Sequence, residues 1–255
     1  MPDIASLVLS MLDLTSLNDD DNAETIERLS RRAASSVGHP AALCVLPRLV
    51  SQARTELARQ GLQDRVQVAT VVNFPSGEEP ADAVVEQVRS ALTSGADEID
   101  LVFPYRALMK GDERSGYHLL SRCRQACSGH LLKVILETGE LKSPDLVRSA
   151  SEIALAAGAD FIKTSTGKVA VNATPEAAAT MMEAIRDSGR PTGFKAAGGI
   201  RTVEEAAVYL DLARDILGEQ WLRPERFRFG ASGLLNDLLQ KLGSAAPSAD
   251  LRGDY

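Results

Sequence analysis

Two short apolar segments each carry one lysine and run into a glycine-containing turn: Phe161-Ile162-Lys163-Thr164-Ser165-Thr166-Gly167-Lys168 and Gly193-Phe194-Lys195-Ala196-Ala197-Gly198-Gly199. A lysine inside a buried strand must lose its charge or find a partner, because desolvating an ammonium costs several kcal/mol. The two are separated by about one strand, helix and strand repeat, a spacing that sets parallel strands side by side. A third ionisable group, Asp100, interrupts the run Glu98-Ile99-Asp100-Leu101-Val102-Phe103. Strand alternation turns Ile99, Leu101, Phe103, Ile162 and Thr164 outward, and Asp100 and Lys163 inward.

Two ammonium groups beside one carboxylate leave a surplus positive charge, which a chain shaped for stability alone would replace by apolar side chains. The surplus has a use if one amine must be neutral. A neighbouring ammonium at ~4 Å opposes a second charge by about 4 kcal/mol at an effective dielectric of 20, and burial adds to that. A neutral amine attacks carbonyl carbon, and the resulting Schiff base is an electron sink for breaking a carbon–carbon bond. Any one of these residues alone is as readily a member of a structural ion pair; three that converge point to catalysis. Spacing by itself leaves open which lysine is the nucleophile and which tunes it.

The elements that must position these groups recur along the chain. Apolar strand-like runs centre near Leu12, Leu43, Val68, Ile99, Val134, Ile162, Phe194 and Phe229, a step of roughly 25 to 35 residues, each followed by helical periodicity. Eight such units predict an α/β fold, a single-domain (β/α)8 TIM barrel. The first strand is placed at Ser10 to Leu14, partly because a closed barrel needs eight strands. Helix starts are marked by Ser143-Pro144, Thr174-Pro175 and the capping-box spacing of Thr202 and Glu205. Val203, Ala206, Ala207 and Leu210 form an apolar stripe for the barrel wall. A weak internal repeat, Gly95-Ala96-Asp97-Glu98-Ile99-Asp100 against Gly158-Ala159-Asp160-Phe161-Ile162-Lys163, gives Asp100 and Lys163 equivalent strand positions. On strands four and six they would share one interior layer, since a layer draws on alternate strands. The barrel is expected over 1–242 and a flexible C-terminal tail over 243–255, rich in Gly, Ser, Ala and Pro.

Composition narrows the function. A chain of 255 residues with 44% hydrophobic and 25% charged residues has material for a sizeable core,. A net charge of −7 offers no basic footprint, so nucleic acid and anionic membranes are not expected partners,. Three cysteines, Cys44, Cys123 and Cys127, form no disulfide framework, and Asp3 stands where a signal peptide would be basic; both fit a reducing cytoplasm. His39, His118 and His130 have no metal-ligand spacing, so no metal is expected. Cys44 faces inward with Ala42 and Leu46 and reads as packing. Lys133 and Glu137 share a register on strand five and read as a structural pair supporting Asp100. Asp19-Asp20-Asp21 reads as a solvated loop.

The segments Asp13-Leu14-Thr15, Glu98 to Arg106, Phe161 to Lys168, Gly193-Phe194-Lys195 and Arg228-Phe229-Gly230-Ala231-Ser232 resemble the deoxyribose-phosphate aldolase family, in order, over nearly the whole chain. The resemblance implies a class I aldolase that reversibly cleaves 2-deoxy-D-ribose 5-phosphate to D-glyceraldehyde 3-phosphate and acetaldehyde, without a cofactor. It places the Schiff-base lysine on Lys163, the second lysine on Lys195 and the proton-relay aspartate on Asp100. It also implies a terminal tyrosine, Tyr255, that visits the site, where a phenol can protonate an enamine. Glycine turns after strands six, seven and eight fit a phosphate cradle of Gly167, Lys168, Gly198, Gly199, Ser232 and Gly233. Family members often have serine where this chain has Gly233 and proline where it has Ala196. The alternatives are another Schiff-base sugar-phosphate lyase of the same fold and a silent sugar-phosphate binding protein; the presence of all three key residues argues against the latter. The expected partners are sugar phosphates and aldehydes. A homodimer is compatible with the sequence, since outer helices of a barrel are amphipathic with or without a partner.

Overall fold

Eight parallel strands pair in sequence order and close on themselves: β1 (Leu12–Ser16), β2 (Ala42–Val45), β3 (Gln67–Val72), β4 (Glu98–Val102), β5 (Leu131–Ile135), β6 (Phe161–Lys163), β7 (Gly193–Ala197) and β8 (Phe227–Ala231). The computed structural model describes residues 4–244. The fold is a single-domain (β/α)8 TIM barrel, as the strand spacing predicts. The predicted tail falls almost wholly outside the described residues, and Tyr255 with it. Among the described residues no helix is long and apolar enough to cross a membrane.

The helices are α1 (Ile4–Ser10), α2 (Ala23–Ala33), α3 (Val50–Arg59), α4 (Ala81–Thr93), α5 (Tyr105–Met109), α6 (Glu113–Ala126), α7 (Thr138–Leu141), α8 (Pro144–Ala156), α9 (Pro175–Ser188), α10 (Val203–Leu217) and α11 (Leu234–Lys241). The first apolar run is the helix α1, closed by Ser10 Oγ donating to Leu7 O. This shifts β1 two residues beyond the predicted start at Ser10. The capping box forms as predicted, with the Thr202 side chain and the Glu205 side chain each bonding the other's backbone. Thr174 caps Ala177 N at 3.2 Å, whereas Ser143 occupies the N-cap position of α8 without a side-chain bond. Val203, Ala206 and Leu210 are buried on the wall, with Ala207 at its edge.

The internal repeat has a structural cause. Gly95 and Gly158 leave their helices at φ of 102° and 87°, in the region that favours glycine,. Asp97 and Asp160 each accept the backbone N–H of the preceding strand, from Val68 and Leu132, both at 2.8 Å. Arg54 and Arg124 brace the two aspartates from α3 and α6. The repeat thus seats β4 and β6 alike, and with them Asp100 and Lys163.

The strand register sorts the inward side chains into layers. Following the pairing around the barrel and stepping toward the C-terminal end with each alternate strand, Cys44, Asp100, Lys163 and Gly230 fall in one layer,. Asp13, Ala69, Lys133 and Lys195 form the layer beneath it. Ala42, Glu98, Phe161 and Arg228 form the floor.

Candidate active site

Asp100 and Lys163 share a layer, as their equivalent strand positions predict, and they touch: Lys163 Nζ lies 3.0 Å from Asp100 Oδ2. Lys195 Nζ donates to the same Asp100 oxygen at 2.8 Å and also to Asp13 Oδ2. Lys163, Lys195 and Asp100 are fully buried. The convergence read from strand alternation is therefore present. Gly230 gives Lys195 its room, because a Cβ there would lie 3.1 Å from Lys195 Cε and 3.0 Å from Ala197 Cβ.

The cluster is larger than three groups. Lys133 on β5 reaches Glu98 at 2.6 Å, Asp100 at 2.9 Å and Asp13 at 3.4 Å. Arg228 on β8 reaches Asp13 at 2.6 Å and Glu98 at 3.0 Å. Four cationic side chains thus face three carboxylates, so the surplus positive charge inferred from the sequence survives with a different inventory. Burial alone would push the carboxyls of Asp13 and Asp100 up. The cations around them win: Lys195, Lys133 and Arg228 hold Asp13 well below the ordinary range, and Lys133, Lys195 and Lys163 do the same for Asp100,. Burial would pull the Lys133 ammonium down, but Asp100, Glu98 and Asp13 together raise it well above its usual value. Lys133 is accordingly a fixed positive charge that keeps Asp100 ionised at rest.

The predicted pairing of Lys133 with Glu137 does not occur. Glu137 follows the end of β5 at φ 58°, and this left-handed turn breaks the alternation that put it beside Lys133,. Its carboxylate instead accepts Thr166 N at 3.1 Å and the Thr166 hydroxyl, bracing the loop after β6. Burial raises the Glu137 carboxyl above its ordinary value, with the bonds from Thr166 opposing. Asp21 also departs from the expected solvated loop: it is buried and accepts Ser16 Oγ at 2.8 Å and Asn18 N at 3.0 Å.

The glycine turns lie at the C-terminal ends of β6, β7 and β8. Gly167, Gly198 and Gly199 have φ of 81°, 86° and 85°. Two N–H groups of the predicted cradle are already engaged: Lys168 N donates to Thr166 Oγ1 at 3.1 Å and Gly198 N to Gly230 O at 3.3 Å. Lys168 is exposed, and Ser232 and Gly233 sit at the start of α11. Gly233 has an ordinary φ of −70°, and a Cβ there would meet nothing closer than Arg201 Cγ at 3.9 Å, so a serine fits sterically. No grouping of His, Cys, Asp and Glu suited to a metal occurs among the described residues.

Asp13, Glu98 and Arg228 were not singled out by sequence reasoning. Their signal is the same one that marks Asp100: a charged residue at an inward position of an apolar strand, as in Leu12-Asp13-Leu14 and Phe227-Arg228-Phe229,.

The model of the DeoC/LacD family of aldolases matches residues 7–240. Among solved structures, a protein provisionally named a deoxyribose-phosphate aldolase from Toxoplasma gondii ME49 superposes with a TM-score of 0.88 at 27% identity, covering 96% of this chain and 98% of that one. One from Coccidioides immitis, also provisionally named so, gives 0.79 at 32% identity over 92% and 87%. The tetrameric deoxyribose phosphate aldolase from Aeropyrum pernix gives 0.76 at 24% identity over 96% and 94%, a likeness of fold. With nearly its whole barrel matched, the chain belongs to the DeoC/LacD family of aldolases.

Proposed function

We propose that this aldolase-family protein is a class I enzyme that reversibly cleaves 2-deoxy-D-ribose 5-phosphate to D-glyceraldehyde 3-phosphate and acetaldehyde through a Schiff base on Lys163. The observation that carries this reading is the contact of Lys163 Nζ with Asp100 Oδ2 inside a buried cluster that holds one more cationic group than carboxylates. Such a cluster favours release of one proton, and a neutral amine is what carbonyl attack requires.

Lys163 attacks the aldehyde carbon of the open-chain sugar, and Asp100 takes the ammonium proton and returns it as the carbinolamine loses water. Lys195, donating to the same carboxylate oxygen, keeps Asp100 placed and sets a second positive charge beside Lys163. Removal of the proton from the C3 hydroxyl breaks the C2–C3 bond and leaves glyceraldehyde 3-phosphate and an enamine. Protonation of the enamine carbon and hydrolysis then free acetaldehyde and the amine. Lys168, Gly167, Gly198, Gly199, Ser232 and Gly233 form the end of the site that takes the phosphate, Lys168 through its ammonium and the glycines through the turn shape,. The proton donor assigned by resemblance to the enamine, Tyr255, lies outside the described residues.

The small residues opposite the lysines, Cys44 and Ala69, suit a two-carbon donor better than the longer donor of another sugar-phosphate lyase, and product analysis separates the two. Borohydride reduction in the presence of substrate, followed by peptide mass mapping, is expected to place the adduct on Lys163. Mass added at Lys195 or Lys168 with Lys163 untouched overturns the assignment.

A further inference from the structure

The floor of the barrel carries a charge pair that touches none of the steps above. Arg228, only 5% exposed, donates to Asp13 Oδ1 at 2.6 Å, to Glu98 Oε1 at 3.0 Å and to the carbonyl of Pro224, with its guanidinium carbon 5.7 Å from the Phe161 ring centroid. Glu98 accepts Lys133 at 2.6 Å on its other side. A buried ion pair in a barrel floor is replaceable by apolar residues without loss of stability, and often with a gain. Here the pair is wired upward instead: Arg228 through Asp13 to Lys195, and Glu98 through Lys133 to Asp100.

We propose that Glu98 and Arg228 are positioning residues for the amine chemistry, their opposite charges setting the pH at which the cluster yields one proton and imine formation begins. The ion-paired groups of this centre are Asp13 from β1, Glu98 and Asp100 from β4, Lys133 from β5, Lys163 from β6, Lys195 from β7 and Arg228 from β8; around them stand Cys44 from β2, Glu137 just after β5, bonded to Thr166 and outside these pairs, and uncharged Ala69 on β3. Within that inventory the floor pair is neutral as a unit. Either member removed alone leaves the cluster one charge richer or poorer, with little water to screen the change.

The sign follows from the charge removed. Glu98→Gln deletes a negative charge, makes the cluster more positive and eases proton release, so the acid limb of imine formation moves to lower pH. Arg228→Gln does the opposite. Each displacement is expected to be about one pH unit. The double variant E98Q/R228Q restores the charge balance, and its limb is expected within about a third of a unit of the wild type, even where its rate is lower.

The inference rests on the Schiff-base reading. The experiment therefore follows the rate of cyanoborohydride trapping of acetaldehyde at Lys163, by mass spectrometry, across a pH series for the wild type and the three variants. No adduct at Lys163 in the wild type defeats the proposed function itself. A wild-type adduct with limbs that stay put in both single variants, or move in the same direction, defeats this inference alone. Should a single variant fail to fold, the double variant decides: a limb displaced by a full unit despite balanced charge overturns the proposal, and one that stays in place supports it.

Discussion

The two walls of the barrel interior are made of opposite material. From β4 through β8 to β1 the inward positions carry Glu98, Asp100, Lys133, Lys163, Lys195, Arg228 and Asp13, interrupted by Phe161 and Gly230; from β2 to β3 they hold Ala42, Cys44, Ala69 and Val71. A TIM barrel is usually filled with branched apolar side chains in layers, and the β2 to β3 side keeps to the apolar part of that rule. The other side breaks it in three successive layers. Such a departure is costly unless every charge is paired, and here the carboxylates are each shared between at least two cations,. Chemistry concentrates on the charged wall; the small wall leaves room for what the charged wall acts on.

The largest effect that can break this comparison is the loss of one ammonium from the charged wall. Lys195→Leu is expected to cut the rate of aldol cleavage by roughly two to four orders of magnitude near neutral pH, with partial recovery at higher pH, where the remaining amine loses its proton to solvent without needing a like charge beside it. Steady-state rates over a pH series read this. A profile lowered equally at every pH would assign Lys195 to proton donation or placement instead of tuning.

A second effect is thermodynamic. Asp13 and Asp100 have carboxyls held well below the ordinary range in the folded state. Such groups contribute stability that is fully present above the unfolded value near ~4 and lost as pH falls toward the folded one. Below that point the unfolded chain binds protons that the folded chain refuses, so unfolding free energy should fall by about 1.4 kcal/mol per pH unit for each group. Asp100→Asn removes one of the two, and urea melts below pH ~4 should show a slope shallower by about that amount. An unchanged slope would mean that the charged wall opens to water before it unfolds.

Much of this was legible in the sequence because period-two alternation is a local rule. Lys163, Lys195 and Asp100 announce themselves as charged residues at inward positions, and the strand spacing closes the barrel that brings them together. Asp13, Glu98 and Arg228 obey the same rule and needed only its wider application. Glu137 was misplaced because the rule ends where the strand ends: one residue in a left-handed turn sent its carboxylate to Thr166. Asp21 was misread because a tight loop can bury an acid that composition assigns to solvent. Neither loop geometry has a spacing signature, since both depend on one backbone angle or one hydroxyl five residues away.

The smallest effect tests the apolar wall. Cys44 shares a layer with Asp100 and Lys163 and is fully buried, so proximity alone would make it a candidate nucleophile. Burial, and after it the Asp100 carboxylate, raise its thiol above the ordinary value, with Lys195, Lys163 and Lys133 opposing. A thiol held protonated is a poor nucleophile and behaves as a small apolar side chain. Cys44→Ala should therefore leave the turnover number within about twofold. The lost sulfur leaves a small void next to β3, expected to lower the melting temperature by about 2–4 °C for each kcal/mol lost. Turnover and a thermal melt, measured on the same preparation, check both halves. A hundredfold loss of activity with the melt unchanged would put chemistry on the β2 to β3 wall and erase the distinction between the two sides of the barrel.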